Sequence, residues 1–276
     1  MEHELKHLTN WLNHVLGPFA LQLLHSLGIQ PSDYDHPIPE YVVMSLVVLV
    51  LGTILAAILR SQLSVERPGM FQQAAEGLLT NSMGFGIKDL IDENVSHGGE
   101  RFIPFLGTIS VFVLLSNLLS IFPEFSSPTV SPIPPLACAS LVFLYFNWQG
   151  IRHHGPVGYL ASFAGFPKKL GDWLLAILLF PVELISTTAR LLSLTVRLWA
   201  NIFASDLIYV IFLGLLLAPT EWAWSKSAIF GFILAIFPLS IPILFIGLHI
   251  FVSVIQAYIF TVLPAIYVGL AVAEEH

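Results

Sequence analysis

Apolar residues in this chain come in long runs, and the polar residues between them gather in short blocks. Apolar runs of 18 or more recur from about residue 41 to the C-terminus, and about 20 such residues in a helix cross the hydrocarbon core of a bilayer. The runs are rich in Leu, Ile, Phe and Val without sustained two-residue alternation, which predicts spanning helices rather than the strands of a membrane barrel. The pattern predicts an all-α integral membrane protein with about five transmembrane crossings.

The first span is expected from about Tyr41 to Leu59, introduced by the turn-rich PSDYDHPIPE and stopped by Arg60. A polar interval follows to about Gly99, and within it FQQAAEGLLTNSMGFGIKDLI mixes apolar and polar positions as an interfacial amphipathic segment does. The second span, about Phe102 to Phe122, carries Asn117 and ends at PEFSSPTVSPIPP, whose prolines cannot continue a helix. The third is expected from about Leu136 to Trp148, before the turn-like QGIRHHGPVGYLASFAGFPKKLGD. Two tracts of about 45 residues complete the chain, Trp173 to Ala218 and Ala228 to Ala273, with APTEWAWSK expected as the hairpin turn between them. At 1.5 Å per residue each outruns a ~30 Å core, so each must tilt, bend or break, and Pro181, Pro238, Pro242 and Pro264 are the candidate positions. Residues 1–35 then form an N-terminal extramembrane segment, and residues 36–276 a polytopic membrane domain.

Composition strengthens this picture. The 276 residues are 56% hydrophobic and 11% charged, with mean hydropathy +0.81, against about 25% charged residues in soluble domains. The net charge of −7 lies largely in loops and tails, where solvation explains it, and nothing supports nucleic-acid binding. The single cysteine, Cys138, falls in an apolar run as a small core residue. The N-terminus lacks the features of a cleaved signal or a transit peptide and is expected to remain in the mature chain.

Orientation follows from the eleven Lys and Arg residues. Arg60, Arg67, Lys88 and Arg101 flank one connection and Arg152, Lys168 and Lys169 another, while the opposite side has only Lys6 and Lys226. With five crossings, the positive-inside rule places the N-terminus outside and the C-terminus inside.

Charges inside the spans point to function. The segment FPVELISTTARLLSLTVRLWANIFASDLIYV holds Glu183, Arg190, Arg197 and Asp206 in sequence that otherwise reads as membrane helix. Each Arg or Asp at a helix centre costs about 2.5 to 3.5 kcal/mol on insertion scales, so partners, water or function must compensate. Glu183, Arg190 and Arg197 are spaced by seven and drift by only about 20° per step, with Ser186, Ser193 and Asn201 near the same stripe. Asp206 lies about 180° from Arg197 on that wheel, so the two are not expected to form a simple ion pair. In the last tract Ser253, Gln256 and Tyr267 fall within about 40° of His249. Such stripes on two packed tracts could border a common aqueous path, with His exchanging protons near neutral pH. Singly, Gln256, His249, Ser186 and Ser193 are equally at home as interhelical packing and hydrogen-bonding residues, and Arg190 divides between structural and functional roles.

No Gly-rich phosphate loop, nucleophile elbow or dinucleotide fingerprint is present, and adjacent His153 and His154 lack the companions of a metal site. The chain is expected to be non-catalytic and without a cofactor, its chemistry being ion transfer. A secondary transporter would use the same charges to bind a substrate, but no internal repeat is evident. A purely structural scaffold would tolerate a neutral residue at Arg197.

The stretch SLTVRLWANIFA resembles the hallmark S-L-x-x-R-L-F-[GA]-N-x-x-A of subunit a of the F-type ATP synthase membrane sector. LHIFVSVIQAYIFTVLPAIYVGLAVAEEH is similar to that family's last helix, ERPGMFQQAAE to the start of its amphipathic segment, and FVLLSNLLSIFPEF to its second span. The resemblance covers roughly residues 36 to 276. Departures are Leu191 at a common proline, Trp199 for phenylalanine, and Ser120 where an acidic residue often stands in the outer path.

The resemblance implies a stator with the last two helices tilted as a hairpin against a ring of c subunits, in a bacterial inner membrane with the subunit b peripheral stalk and the rest of the ATP synthase. It implies Arg197 as the essential arginine followed by Asn201, with Asp206, His249 and neighbouring polar groups on the outer path and Asn117 as the polar position of the second span in proton translocation. Glu183 goes to the inner path, and Gln256, Ser193 and Tyr267 to the polar stripes. The translocated ion is expected to be the proton.

Overall fold

A computed structural model describes residues 2–26, 28, 30, 34, 37–64, 68–79, 88, 99–122, 125–165, 170–226 and 228–272. Among these, the regular structure is helical: α1 (Glu2–Ser26), α2 (Glu40–Ser61), α3 (Met70–Leu79), α4 (Ile103–Leu119), α5 (Ile133–Phe163), α6 (Leu170–Lys226) and α7 (Ala228–Val272). Single 3-10 turns occupy Gly99–Phe102 and Pro128–Val130. The expectation of an all-α integral membrane protein holds.

Each helix starts and stops for local reasons. α2 follows Pro37 and Pro39 and carries Glu40 in its first turn and Arg60 in its last, both favourable to the helix dipole. The 3-10 turn at Pro128 is capped by Ser127, whose side chain accepts from the Thr129 N–H. In α5 the regular backbone is interrupted at Gly155, where φ is +73°, a conformation open to glycine, and Pro156 starts the next helical stretch with the φ that proline fixes. The amphipathic α3 covers only the start of the expected interfacial segment, and most of residues 80–98 lie outside the described residues. Gln72 docks α3, accepting from the Ser64 N–H at 2.8 Å and donating to the Ser64 carbonyl at 3.0 Å.

Four stretches among the described residues are long and apolar enough to cross a membrane: Glu40–Ser61, Gly99–Leu119, Leu175–Phe212 and Ile243–Val272. The expected third crossing is helical within α5, but Tyr145, Asn147, Trp148 and Gln149 leave it less apolar than these four. Two boundaries differ from expectation. Residues 149–154, expected in a turn, continue α5, and APTEWAWSK remains helical through Lys226. One proline removes one backbone donor, whereas the surrounding residues are helix-compatible and keep the remaining bonds. No break occurs at Pro181, Pro238, Pro242 or Pro264 either; α6 has 57 residues and α7 45. α6 is thus roughly 85 Å long at 1.5 Å per residue, about three times a hydrocarbon core.

The chain divides into two units, one of Met1–Val50, Leu114–Pro134 and Leu198–Ile255, the other of Leu51–Val113, Pro135–Arg197 and Gln256–His276. The first has Val43, Met44, Val48, Leu198 and Ile202 at its core, with Asn117 and Ser253 buried among them. Asn13 ties α1 to the residues before α2, accepting from the Ile38 N–H at 2.8 Å and donating to its carbonyl at 3.1 Å. The second is packed around Phe102, Leu106, Val113, Val142, Phe146, Leu194 and Phe260, with Phe105 stacked on Tyr145. Beyond the Gly155 break, Tyr159 turns back onto α5, donating to Asn147 Oδ1 at 3.0 Å while its ring fills the space left by Gly150.

Burial is uneven among the spans. In the most apolar window of Gly99–Leu119, 44% of the residues are buried, against 11% in Leu175–Phe212. α4 is therefore an interior helix, whereas α6 presents Leu192, Val196, Phe203 and Val210 outward for lipid or another chain to cover.

Candidate functional site

The polar residues singled out in the spans collect in two groups, one in each unit. In the first unit they centre on His249. Its Nε2 lies 2.9 Å from Ser120 Oγ and 3.0 Å from the backbone carbonyl of Asn117, and its Nδ1 lies 3.1 Å from Ser205 Oγ. The imidazole is buried, and one edge borders a cavity of about 130 Å³. Asp206, Ser205, Tyr209 and Ser120 line the same cavity, with Phe245 and Ile246 as apolar wall. One titratable base, one carboxyl group and three hydroxyls therefore face a single space.

The helix spacing explains this convergence. Ser205 and Asp206 are adjacent on α6, Ser120 sits in the turn that ends α4, and His249 projects from α7. Ser120 also donates to the Asn117 carbonyl three residues back, at 3.0 Å. Thr129 Oγ1 donates to the fully buried Asn117 Oδ1 at 2.9 Å, and Ser127 Oγ lies 2.6 Å from Thr129 Oγ1 and donates to the Ser116 carbonyl at 2.8 Å. The indole of Trp199 donates to the Val130 carbonyl at 2.9 Å and stacks on Phe203. The 3-10 turn 128–130 is thus tied to α4 through Asn117 and to α6 through Trp199. Asn201, half-buried, follows two residues after that tie.

The second group lies along the Glu183 to Arg197 stretch of α6 and the C-terminal part of α7. Arg190 Nη2 bonds Glu183 Oε1 at 3.3 Å, as the seven-residue spacing allows, and its guanidinium sits 5.0 Å from the centre of the Tyr267 ring. Tyr267 also packs against Phe146. Arg190 is therefore held on two sides. Arg197 differs: its side chain is exposed, its polar contact is Ser193 Oγ at 3.4 Å, and no carboxylate among the described residues forms an ion pair with it. Its backbone is fixed instead, since Gln256, itself buried, donates from Nε2 to the Arg197 carbonyl at 2.9 Å. A guanidinium stays charged in proteins. One exposed on a membrane helix requires water or a counter-charge, and none of the described carboxylates is paired with it.

Sequence reasoning had passed over Ser205 and Thr129 and treated Ser120 as a lost acidic position. Serine and threonine are common in membrane helices as packing residues, so their identity alone carried no signal.

The chain is similar over most of its length to proteins of one family. Residues 41–269 match the family model described as ATP synthase A chain. The chain is 35% identical to ATP synthase subunit a of Koribacter versatilis over 276 residues, covering the whole of both. It is 39% identical to ATP synthase subunit a of Solibacter usitatus over 250 residues, 91% of this chain and 93% of that one. With ATP synthase subunit a of Desulfosudis oleivorans it shares 32% identity over 260 residues, 94% of this chain and 97% of the relative. The chain belongs to the ATP synthase subunit a family, the multi-pass membrane subunit of the F-type ATP synthase.

Proposed function

We propose that this chain is the proton-translocating stator of its ATP synthase, with Arg197 as the fixed charge that couples proton flow to rotation of a c-subunit ring. The observation that carries the reading is the state of Arg197: an exposed guanidinium on an otherwise apolar helix, without a carboxylate partner among the described residues, on a backbone fixed by Gln256. A carboxylate on each passing c subunit supplies the missing charge. The guanidinium favours its ionised form, so the proton is released to one side and cannot be carried straight past.

Two offset aqueous half-channels reach the middle of the membrane from opposite sides. The outer one runs along Asp206, His249 and Asn117, supported by the cavity these residues border or adjoin. The inner one runs along Glu183 and the polar stripes that carry Ser193 on α6 and Tyr267 on α7, with Arg190 held by Glu183 and the Tyr267 ring. Asn201 and Gln256 fix the contact region. The membrane potential acts on each charge moved with about 2.3 kcal/mol per 100 mV, which the ring converts into rotational work. ATP is made on other subunits.

In this reading the chain crosses a bacterial inner membrane five times, the less apolar first part of α5 being one crossing. Residues 1–35 lie outside, the C-terminus lies inside, and the b subunits of the peripheral stalk hold the chain against rotation. The positive-inside distribution of Lys and Arg supports that orientation. The test is proximity. A cysteine at Val196, beside Arg197, introduced with Cys138→Ser, should form a disulfide with a cysteine placed one turn from the c-subunit carboxylate in the assembled complex. No cross-link at any c-subunit position along that helix would contradict the proposal.

A further inference from the structure

His249 is surrounded by groups whose protons can be counted, and the count gives each ring nitrogen a separate task. Nε2 lies 3.0 Å from the Asn117 carbonyl, which can only accept, and 2.9 Å from Ser120 Oγ. The Ser120 hydroxyl sends its one proton to the same carbonyl, so its oxygen meets the ring as an acceptor. Both contacts therefore require a proton on Nε2, shared between two acceptors. A bare Nε2 would set its lone pair against that of the carbonyl. A neutral imidazole carries one N–H, which leaves Nδ1 as the acceptor, and its 3.1 Å contact is the Ser205 hydroxyl donating to it.

We propose that Ser205 is a proton-transfer residue of this chain and that His249 is loaded at Nδ1 through the Ser205 hydroxyl. The inference deepens the reading of Asp206 and His249 as the outer path and rests on it. Ser205 and His249 border the cavity of about 130 Å³, which has room for a few waters at about 30 Å³ each. A hydronium in that cavity gives its proton to a lone pair of Ser205 Oγ as the hydroxyl's own proton passes to Nδ1. One O–H bond forms on Ser205 while the other breaks, an N–H bond forms on the ring, and a water remains. Ser205 ends neutral, the ring is an imidazolium, and the hydrogen bond between them has reversed, with Nδ1–H donating to Oγ. The Nε2–H keeps its two acceptors throughout, so no buried partner has to move. Asp206, lining the same cavity, is the negative charge nearest in sequence to Ser205 and attracts the proton to this end. Proton entry is thereby assigned to the Ser205 side of the ring rather than to Ser120, the position where an acidic residue often stands in the family.

The experiment measures passive proton flow through the assembled membrane sector in vesicles stripped of the catalytic sector, driven by a potassium diffusion potential. Ser205→Ala should lower the flow by roughly 100-fold or more, with a larger solvent deuterium effect on what remains. Ser205→Thr should stay within about threefold of the parent. Ser205→Thr and Ser205→Val pack alike and differ by a hydroxyl, so this pair decides the matter even where the alanine variant assembles poorly. Equal flow through Thr and Val variants, with His249→Ala blocked, would overturn the role of Ser205 and leave the outer path standing. Unchanged flow in His249→Ala as well would overturn the outer path itself.

Discussion

Gln256 donates from Nε2 to the backbone carbonyl of Arg197 at 2.9 Å, so a side chain of α7 fixes α6 at the residue whose guanidinium has no carboxylate partner among the described residues. The contact explains why an amide and not a hydrocarbon stands at position 256, since only a donor can meet that carbonyl. A net hydrogen bond of this kind contributes about 1 kcal/mol. Gln256→Leu keeps much of the volume and removes the donor. ATP-driven quenching of a proton-sensitive dye in inverted vesicles should fall by about fivefold, the factor equivalent to that energy, with the complex still assembled. Pumping at the parental rate would show that the contact does not position Arg197.

Water should reach Asp206 from the outer side. With Cys138→Ser as background, Asp206→Cys should react with a membrane-impermeant thiol reagent added outside, and a cysteine at Leu194, buried within the second unit, should not. An unreactive Asp206→Cys in intact membranes would mean that the cavity beside His249 is closed to that side.

Much of this organisation was legible in the sequence, for physical reasons that differ from residue to residue. The spans were legible because hydrocarbon demands long apolar runs, and Glu183, Arg190 and Arg197 because charge in such runs is costly enough to stand out. The spacing of seven also anticipated that Glu183 and Arg190 could meet. Ser205 and Thr129 were not legible, because a hydroxyl acquires meaning only from what faces it on another element, here His249 on α7 and Asn117 on α4. The length of α5 was hidden by residues 149–154, whose polar character reads as a turn but is compatible with helix up to the left-handed Gly155. APTEWAWSK misled in the same way, one proline weighing more by eye than in the backbone of α6.

The return of Tyr159 onto α5 depends on the missing side chain at Gly150, where a methyl group would collide with the phenol ring. Gly150→Ala should therefore destabilise the complex by about 1 to 3 kcal/mol, the usual cost of overpacking. Thermal inactivation of the detergent-solubilised complex checks this, and Tyr159→Ala provides the control, because in that background the Gly150 substitution should cost little. An equal loss in both backgrounds would place the effect elsewhere.

Arg190 should tolerate loss of the Tyr267 hydroxyl better than loss of the ring. Tyr267→Phe keeps the aromatic face 5.0 Å from the guanidinium, whereas Tyr267→Ala removes an attraction of roughly 0.5 to 2 kcal/mol together with the packing on Phe146. ATP-driven pumping near the parental level for Phe and clearly reduced for Ala is the expected order. The reverse order would assign the role to the hydroxyl.

Arg197 as the coupling charge is tested by ATP-driven proton pumping of the Arg197→Ala complex in inverted vesicles. The substituted complex should assemble and hydrolyse ATP without acidifying the vesicles, because no fixed positive charge remains to separate the two water paths. Coupled pumping retained at a rate comparable to the parent would contradict that role.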